Sequence, residues 1–163
     1  MVRATHRTFD QKHSRQVYRC DMPLNTWICD WCGDDITNPM KALLLWSASE
    51  IGGLKSNFRI VHKGNRCDVD QNDHSTELSY VLGLDGQAYL FSLITDGPLR
   101  GGTVRGVESL DEWSDVFRRL QTPWYEEARP HFRDEEIQLR FSDANEMAPY
   151  SQGSLRDIAA GED

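Results

Sequence analysis

Four residues of the sequence have the types and the spacing of a metal-binding set. Cys29 and Cys32 form a C-x2-C pair, and His62 and Cys67 follow as H-x4-C after 29 intervening residues. Thiolates and imidazoles favour zinc over magnesium or calcium. Three sulfur atoms and one nitrogen complete the tetrahedral shell of a structural zinc site. The sequence therefore predicts one structural zinc ion per chain, held by Cys29, Cys32, His62 and Cys67.

Two further residues are reserve ligands. Cys20 would replace Cys67 if the N-terminal segment folded back, whereas His74 is more typical of a surface or capping histidine. A redox function for the C-x2-C pair is less favoured, because no βαβ pattern surrounds it. Buried cysteines beside an incidental histidine remain the structural alternative.

The elements that must position these ligands are a turn and a strand pair. Residues 29–33 form a tight knuckle, in which Gly33 allows the positive φ that such loops need. Residues 42–46 and 57–62 are predicted as two paired strands, since the second alternates in polarity. The strand pair would carry the chain away from the knuckle and return it to the same end.

On these residues the chain resembles the treble-clef and zinc-ribbon-like class of small zinc domains. The resemblance covers residues 27–70, under a third of the chain, and depends on the four ligands and Gly33. It implies a knuckle, a hairpin and a metal that organises the fold. It implies no single function, because that class serves many. The order of motifs also resembles bacterial proteins to which no activity is attached.

Helical signals follow the metal-binding region. The indicated helix starts are Ser75 or Asp73, Asp85, the Ser109–Glu112 capping box, and Thr122 with Pro123. The capping box precedes an amphipathic face at residues 110–120. Segment 86–94 is apolar enough to be read as a strand as well. Gly83 and Pro130 are expected to end the first and the last of these helices.

The C-terminal part is predicted to contain a hairpin formed by residues 137–141 and 147–150. Helix, turn, helix and hairpin follow one another in a winged helix-turn-helix, although many α+β domains share this order. The predicted fold class is therefore α+β, with a zinc-stapled hairpin domain and a mainly helical, winged-helix-like part. The predicted domains are a polar basic arm (1–22), the zinc-binding domain (23–73) and the helical region with its acidic end (74–163).

Charge and cysteine usage narrow the class of function. Residues 1–21 have a net charge of +3, and the rest of the chain has −11. The negative charge of residues 22–163 repels phosphates and disfavours nucleic-acid binding. No apolar run of membrane-spanning length and no secretory leader are present in the sequence, so no membrane partner is expected. Metal-spaced cysteines are typical of a reducing compartment, and the cytoplasm is predicted.

The leading functional prediction is a non-catalytic regulatory or adaptor protein that binds another protein. Four aromatic residues are interpreted as exposed and suited to a protein interface, with core packing as the alternative. They are Trp27, Trp31, Trp124 and Tyr125. One alternative is a DNA- or RNA-binding transcriptional regulator, against which residues 124–132 carry too little positive charge. The other is a metal-dependent hydrolase, which would need an open zinc position. No catalytic motif is recognised.

Overall fold

The computed structural model describes residues 24–49, 53–64, 67–68, 74–101 and 105–161. Residues 1–22, predicted as a basic arm, and Cys20 within them lie outside the described residues. The described strands are β1 (Trp27–Ile28), β2 (Asp35–Ile36), β3 (Ala42–Ala48), β4 (Lys55–His62) and β5 (His74–Glu77). The described α-helices are α1 (Gly83–Ile94), α2 (Leu110–Gln121), α3 (Tyr125–Ala128), α4 (Glu135–Arg140) and α5 (Gln152–Ala160).

The strands form two small antiparallel sheets. β1 pairs with β2, and a three-stranded sheet has the order β4-β3-β5. The strand pair predicted over 42–46 and 57–62 is confirmed by β3 and β4. The register shifts between Leu45 and Ser47, where Asn57 of β4 has φ +58°. Asparagine tolerates this left-handed conformation, which accommodates the extra residue of a β-bulge.

The helix predicted from the capping box is confirmed. The Ser109 hydroxyl accepts a hydrogen bond from the Glu112 N–H at 3.2 Å, and α2 begins at the next residue. Segment 86–94, for which the sequence allows either a helix or a strand, belongs to α1. Gly83 is the first residue of α1 and does not end a helix, because its φ of +68° turns the chain into α1.

Three predicted helix starts are corrected. Asp85 does not cap a helix, because it lies in the first turn of α1, which begins at Gly83. Ser75 lies in β5, and residues 78–82 contain only the 3-10 helix Leu78–Val81 rather than an α-helix; Asp73 lies outside the described residues. Thr122 does not cap a helix, because α3 begins three residues later behind Trp124, which has φ +67°. The chain leaves α3 at Ala128, before Pro130, as predicted.

The predicted C-terminal hairpin is wrong. Residues 135–140 form α4, and the 3-10 helix Ala148–Tyr150 stands where the second strand was expected. A winged helix needs a strand pair as its wing, so that refinement of the fold class is not confirmed. The described residues form a mixed α/β structure with five α-helices and two small antiparallel sheets.

The buried residues form two hydrophobic cores. The first lies between the strands and helices α1 and α2, and it includes Trp27, Ile60 and Trp113. The second is smaller and is centred on Tyr125 of α3 and Leu155 of α5. The first core includes residues on both sides of the domain boundary predicted at 73/74; the division into domains stays a prediction. None of the helices in the described ranges has the length and hydrophobicity to cross a membrane.

Candidate metal centre

The turn between β1 and β2 carries the first two cysteines. The Gly33 N–H donates to the Cys29 carbonyl oxygen at 2.9 Å, and the Cys29 N–H donates to the Asp34 carbonyl oxygen at 2.9 Å. Gly33 has φ +80°, in the left-handed region that glycine adopts without strain. These bonds close the knuckle that the sequence predicts, and they hold Cys29 and Cys32 on one side of one loop.

The second ligand pair lies where β4 ends. His62 is the last residue of β4, and the chain then turns at Gly64, whose φ is +78°. The Gly64 N–H donates to the Asp68 carboxylate at 2.9 Å, and the Cys67 N–H donates to the Gly64 carbonyl oxygen at 3.1 Å. This turn returns Cys67 towards the end of β4, beside His62.

The four predicted ligands meet. The ligand atoms of Cys29, Cys32, His62 and Cys67 all lie within 4.8 Å of one another. The Cys32 Sγ is 3.5 Å from the His62 Nδ1. A tetrahedral zinc site with Zn–S bonds of about 2.3 Å separates its ligand atoms by roughly 3.5–3.8 Å. The cluster can therefore hold a metal ion and is compatible with zinc.

The histidine ring is oriented for this role. The His62 Nε2 lies 3.4 Å from the Asp35 carbonyl oxygen, while Nδ1 faces the thiols. A histidine that ligates a metal commonly donates its other ring N–H to a carbonyl or carboxylate, which fixes the tautomer. Asp35 pairs with Ile28 between β1 and β2, so the small sheet supplies this contact.

The thiols differ in acidity. Burial raises the pKa of the Cys29 thiol, but hydrogen bonds from the backbone N–H groups of Cys32, Trp31 and His62 lower that pKa to about 7. Burial raises the pKa of Cys67 to about 12, and the neighbouring Cys32 and Cys29 add to the rise. Three crowded thiols cannot all ionise unless a cation compensates their charge. The donor set therefore has the chemistry of a metal site.

The reserve ligand His74 is not part of the cluster. It is exposed in β5 and stacks on the Trp46 ring, with ring centroids 5.7 Å apart. This position agrees with its interpretation as a surface histidine. The identity of the metal and its structural role stay predictions.

A buried charge network connects the knuckle to α2 and α3, and sequence reasoning missed it. At its centre is Arg119, whose side chain is 2% exposed and ion-paired with Asp30 and Glu126. Its Nε and Nη2 donate to the two Glu126 oxygens at 2.8 and 2.9 Å. Its Nη1 donates to both Asp30 oxygens at 2.9 and 2.7 Å. Burial alone would lower the pKa of Arg119, but the hydrogen bond and charge of Glu126, with Asp30, raise it.

The same network satisfies the free edge of β1. The Ile28 N–H donates to the Glu126 Oε1 at 2.8 Å, and the Ile28 carbonyl accepts from the Arg119 Nη2 at 2.9 Å. Buried backbone groups need such partners. The Arg119–Glu126 pair therefore takes the place of a neighbouring strand and protects this edge.

A signal for the network exists in the sequence. Within α2, position 119 is three residues after Val116 and adjacent to Leu120, both of which are buried. A charged residue inside an apolar helix stripe is seldom buried without a partner of opposite charge. Glu126, the first of two adjacent glutamates, gives no comparable signal in the sequence, although its side chain is 5% exposed.

A cleft lined by three aromatic and three polar residues lies between α1 and α2. This α1/α2 groove has a volume of about 340 Å³ and is lined by Phe91, Trp113, Ser114, Phe117, Arg118 and Thr122. The Phe91 and Phe117 rings meet with centroids 5.4 Å apart. Leu84, seven residues before Phe91 on α1, is 83% exposed. Residues seven apart share a helix face, so α1 has an uncovered apolar stripe.

The aromatic residues interpreted as exposed from the sequence differ in their burial. Trp31 in the knuckle is exposed. Trp27 and Tyr125 are buried, which corrects that interpretation in favour of core packing. The Trp27 Nε1 donates to the Arg119 carbonyl oxygen at 3.1 Å, and Trp124 packs partly buried against the second core.

Comparison with known proteins adds no assignment. No protein-family model, no curated protein and no solved structure matches this chain. The metal cluster, the charge network and the α1/α2 groove therefore carry the functional argument.

Proposed function

We propose that the protein is a zinc-stabilised, non-catalytic adaptor that binds a protein partner through the α1/α2 groove. The observation that carries this proposal is the α1/α2 groove beside the exposed apolar stripe of α1. Exposed contiguous apolar surface on a folded protein is typical of an interaction site. The zinc would hold together the region that packs against α2.

The proposed zinc is structural because the chain offers a full set of four ligands. Cys29, Cys32, His62 and Cys67 would complete a tetrahedral shell and leave no position for a reacting water. The alternative of a metal-dependent hydrolase requires an open position. Zinc-bound thiolates persist in a reducing compartment, which supports the cytoplasm as the proposed location.

Native mass spectrometry tests the zinc. The purified chain should contain one zinc ion, and Cys29→Ser or Cys67→Ser should weaken or abolish its retention. Cys20→Ser is the matched control and should retain the ion. A metal-free chain, or equal zinc content in all four proteins, would reject the zinc assignment.

The partner proposed for the groove presents an amphipathic helix. An amphipathic helix can lay its apolar face into a groove of this kind, with anchoring side chains three, four and seven residues apart. Arg118 lines this groove with its guanidinium 3.9 Å from the Tyr150 ring centroid. No described carboxylate forms an ion pair with it within 4 Å. A carboxylate beside the apolar face of the partner helix would therefore form an ion pair with Arg118 that no described carboxylate provides.

Selection from a library of displayed amphipathic peptides tests this interface. Peptides selected on the full zinc-loaded chain should be helical and should lose binding to Leu84→Glu and Phe91→Glu. Leu139→Glu is the matched control, because Leu139 is an exposed leucine of α4 outside the groove. Binding that is unaffected by the two groove substitutions would refute the proposal. Concentration-dependent dimerisation lost in the same variants would replace the peptide partner with a second copy of the chain.

The nucleic-acid alternative receives no specific support. The segment expected to enter a DNA groove begins with α3, which has four residues, and Tyr125, Glu126 and Ala128 among them are buried. A recognition helix must present side chains to base edges and phosphates. The Glu126 carboxylate is instead paired with Arg119.

A further inference from the structure

We propose that Arg119 and Glu126 are positioning residues for the metal centre, so that metal affinity depends on a charge network outside the ligand set. The inference rests on the metal-binding part of the proposed function and is independent of the protein partner. Neither residue is a ligand in the cluster of Cys29, Cys32, His62 and Cys67. Their influence would pass through the residues that flank Cys29.

The network holds the chain on both sides of Cys29. Before it, Ile28 is held through its N–H by Glu126 and through its carbonyl by Arg119. After it, the Asp30 carboxylate receives Arg119 through both oxygens. The first cysteine therefore lies between two residues that α2 and α3 hold in place.

Asp30 also joins the two ligand pairs. Its Oδ2 accepts the Ile60 N–H at 2.7 Å, and its own N–H donates to the Ile60 carbonyl at 2.8 Å. Ile60 lies two residues before His62 on β4. The Asp30 carboxylate thus fixes the knuckle against the strand that delivers the third ligand, while Arg119 fixes the orientation of that carboxylate.

Coupling of this kind acts in both directions. If the intact network raises the metal affinity by a given factor, metal binding must raise the equilibrium constant for forming the network by the same factor. Glu126 belongs to α3, so metal occupancy would also stabilise the attachment of α3 to α2. Groups outside the ligand set that orient ligands typically contribute 10- to 100-fold to metal affinity.

Chelator competition on the full chain tests the inference with Glu126→Gln, which keeps the shape of the side chain and removes its charge. Zinc affinity should fall by about tenfold or more. Tyr125→Phe and Leu155→Ala are the matched controls, since both perturb α3 or its core and neither removes a hydrogen-bond partner of Arg119 or Glu126. Urea unfolding of each zinc-loaded protein supplies the stability change for comparison.

The comparison separates positioning from general destabilisation. A positioning role predicts that Glu126→Gln loses more zinc affinity than a control variant with the same loss of stability. The cobalt-substituted Glu126→Gln protein should also show shifted ligand-field bands, whereas the cobalt-substituted Tyr125→Phe protein should match the wild type. The inference is overturned if the loss of zinc affinity is proportional to the loss of unfolding free energy in all three variants and the cobalt spectra coincide. A wild-type chain that binds no zinc would instead refute the metal-binding proposal itself.

Discussion

Replacement of Arg119 by methionine should destabilise the protein far more than loss of an ordinary surface ion pair. Arg119 and Glu126 are 2% and 5% exposed, and Asp30 is 17% exposed. The substitution keeps the apolar stem but removes the guanidinium from two buried carboxylates and from the Ile28 carbonyl. Removal of one partner from a buried ion pair costs about 3–5 kcal/mol. A loss of this size is a large share of a total stability of about 5–15 kcal/mol.

Urea unfolding of zinc-saturated protein, followed by tryptophan fluorescence, measures this effect. With a slope of about 2 kcal/mol per molar, the midpoint should fall by roughly 2 M at unchanged slope. Arg156→Met is the control, because Arg156 pairs with Asp157 while 63% exposed and should lose only about 0–1 kcal/mol. Addition of Glu126→Leu should recover part of the loss in Arg119→Met by removing one unpaired charge. A loss below about 1 kcal/mol, or equal losses in both single variants, would refute the reasoning.

Three further predictions concern backbone packing, helix capping and pH. Gly86→Ala should cost about 1–3 kcal/mol in urea unfolding, because the new Cβ would lie 2.2 Å from the Val81 carbonyl carbon. Gly153→Ala in α5 meets no atom within 4 Å and should be neutral or stabilise the protein by up to about 1 kcal/mol. Ser109→Ala should cost about 0.5–2 kcal/mol through loss of the α2 cap, measured by the same assay. Burial and a neighbouring carboxylate raise the pKa of Tyr125 above 10.0, so its stabilising contribution should be complete below pH 10 and decline above it. The stability difference between wild type and Tyr125→Phe should therefore stay constant up to about pH 10 and shrink above it, and a constant difference up to about pH 12 would contradict this.

The cluster of three cysteines and one histidine could be predicted from the sequence, because a metal-binding pattern restricts residue type more strongly than folding does. Few other patterns explain a C-x2-C pair followed by His62 and Cys67 across a strand pair. The β3–β4 pairing could also be predicted from the sequence, since the alternation of polarity over residues 57–62 has the period of a half-buried strand. The α2 start at Ser109 was also predicted correctly, because capping chemistry is local.

The helical conformation of the C-terminal part was not predicted, because its apolar segments are short. Residues 137–141 contain too few positions to separate a period of 2 from a period of 3.6. In the structure Ile137 packs against the second core from α4, and Leu139 is exposed. Tertiary packing against α3 and α5 therefore decides the helical conformation.

The two non-glycine residues with positive φ could not be predicted from the sequence either. Asn57 and Trp124 adopt φ of +58° and +67°, which few non-glycine residues do. The bulge at Asn57 depends on the partner strand β3, and the turn at Trp124 precedes α3 beside the second core. Local propensity contains no information about either neighbour.

The buried ion pair is better explained by specificity than by stability. An apolar pair of similar volume could fill the same space without desolvating charges. Only side chains with donors and acceptors, however, can satisfy both the N–H and the carbonyl of Ile28 at the open edge of β1. Glu126 accepts from the first and Arg119 donates to the second, while the remaining donors of Arg119 reach Asp30 and Glu126. An apolar replacement would leave that edge unpaired and would take the buried guanidinium away from the Asp30 carboxylate, beside the cysteine cluster. The charges therefore select the one arrangement of knuckle, α2 and α3 in which all these groups are paired.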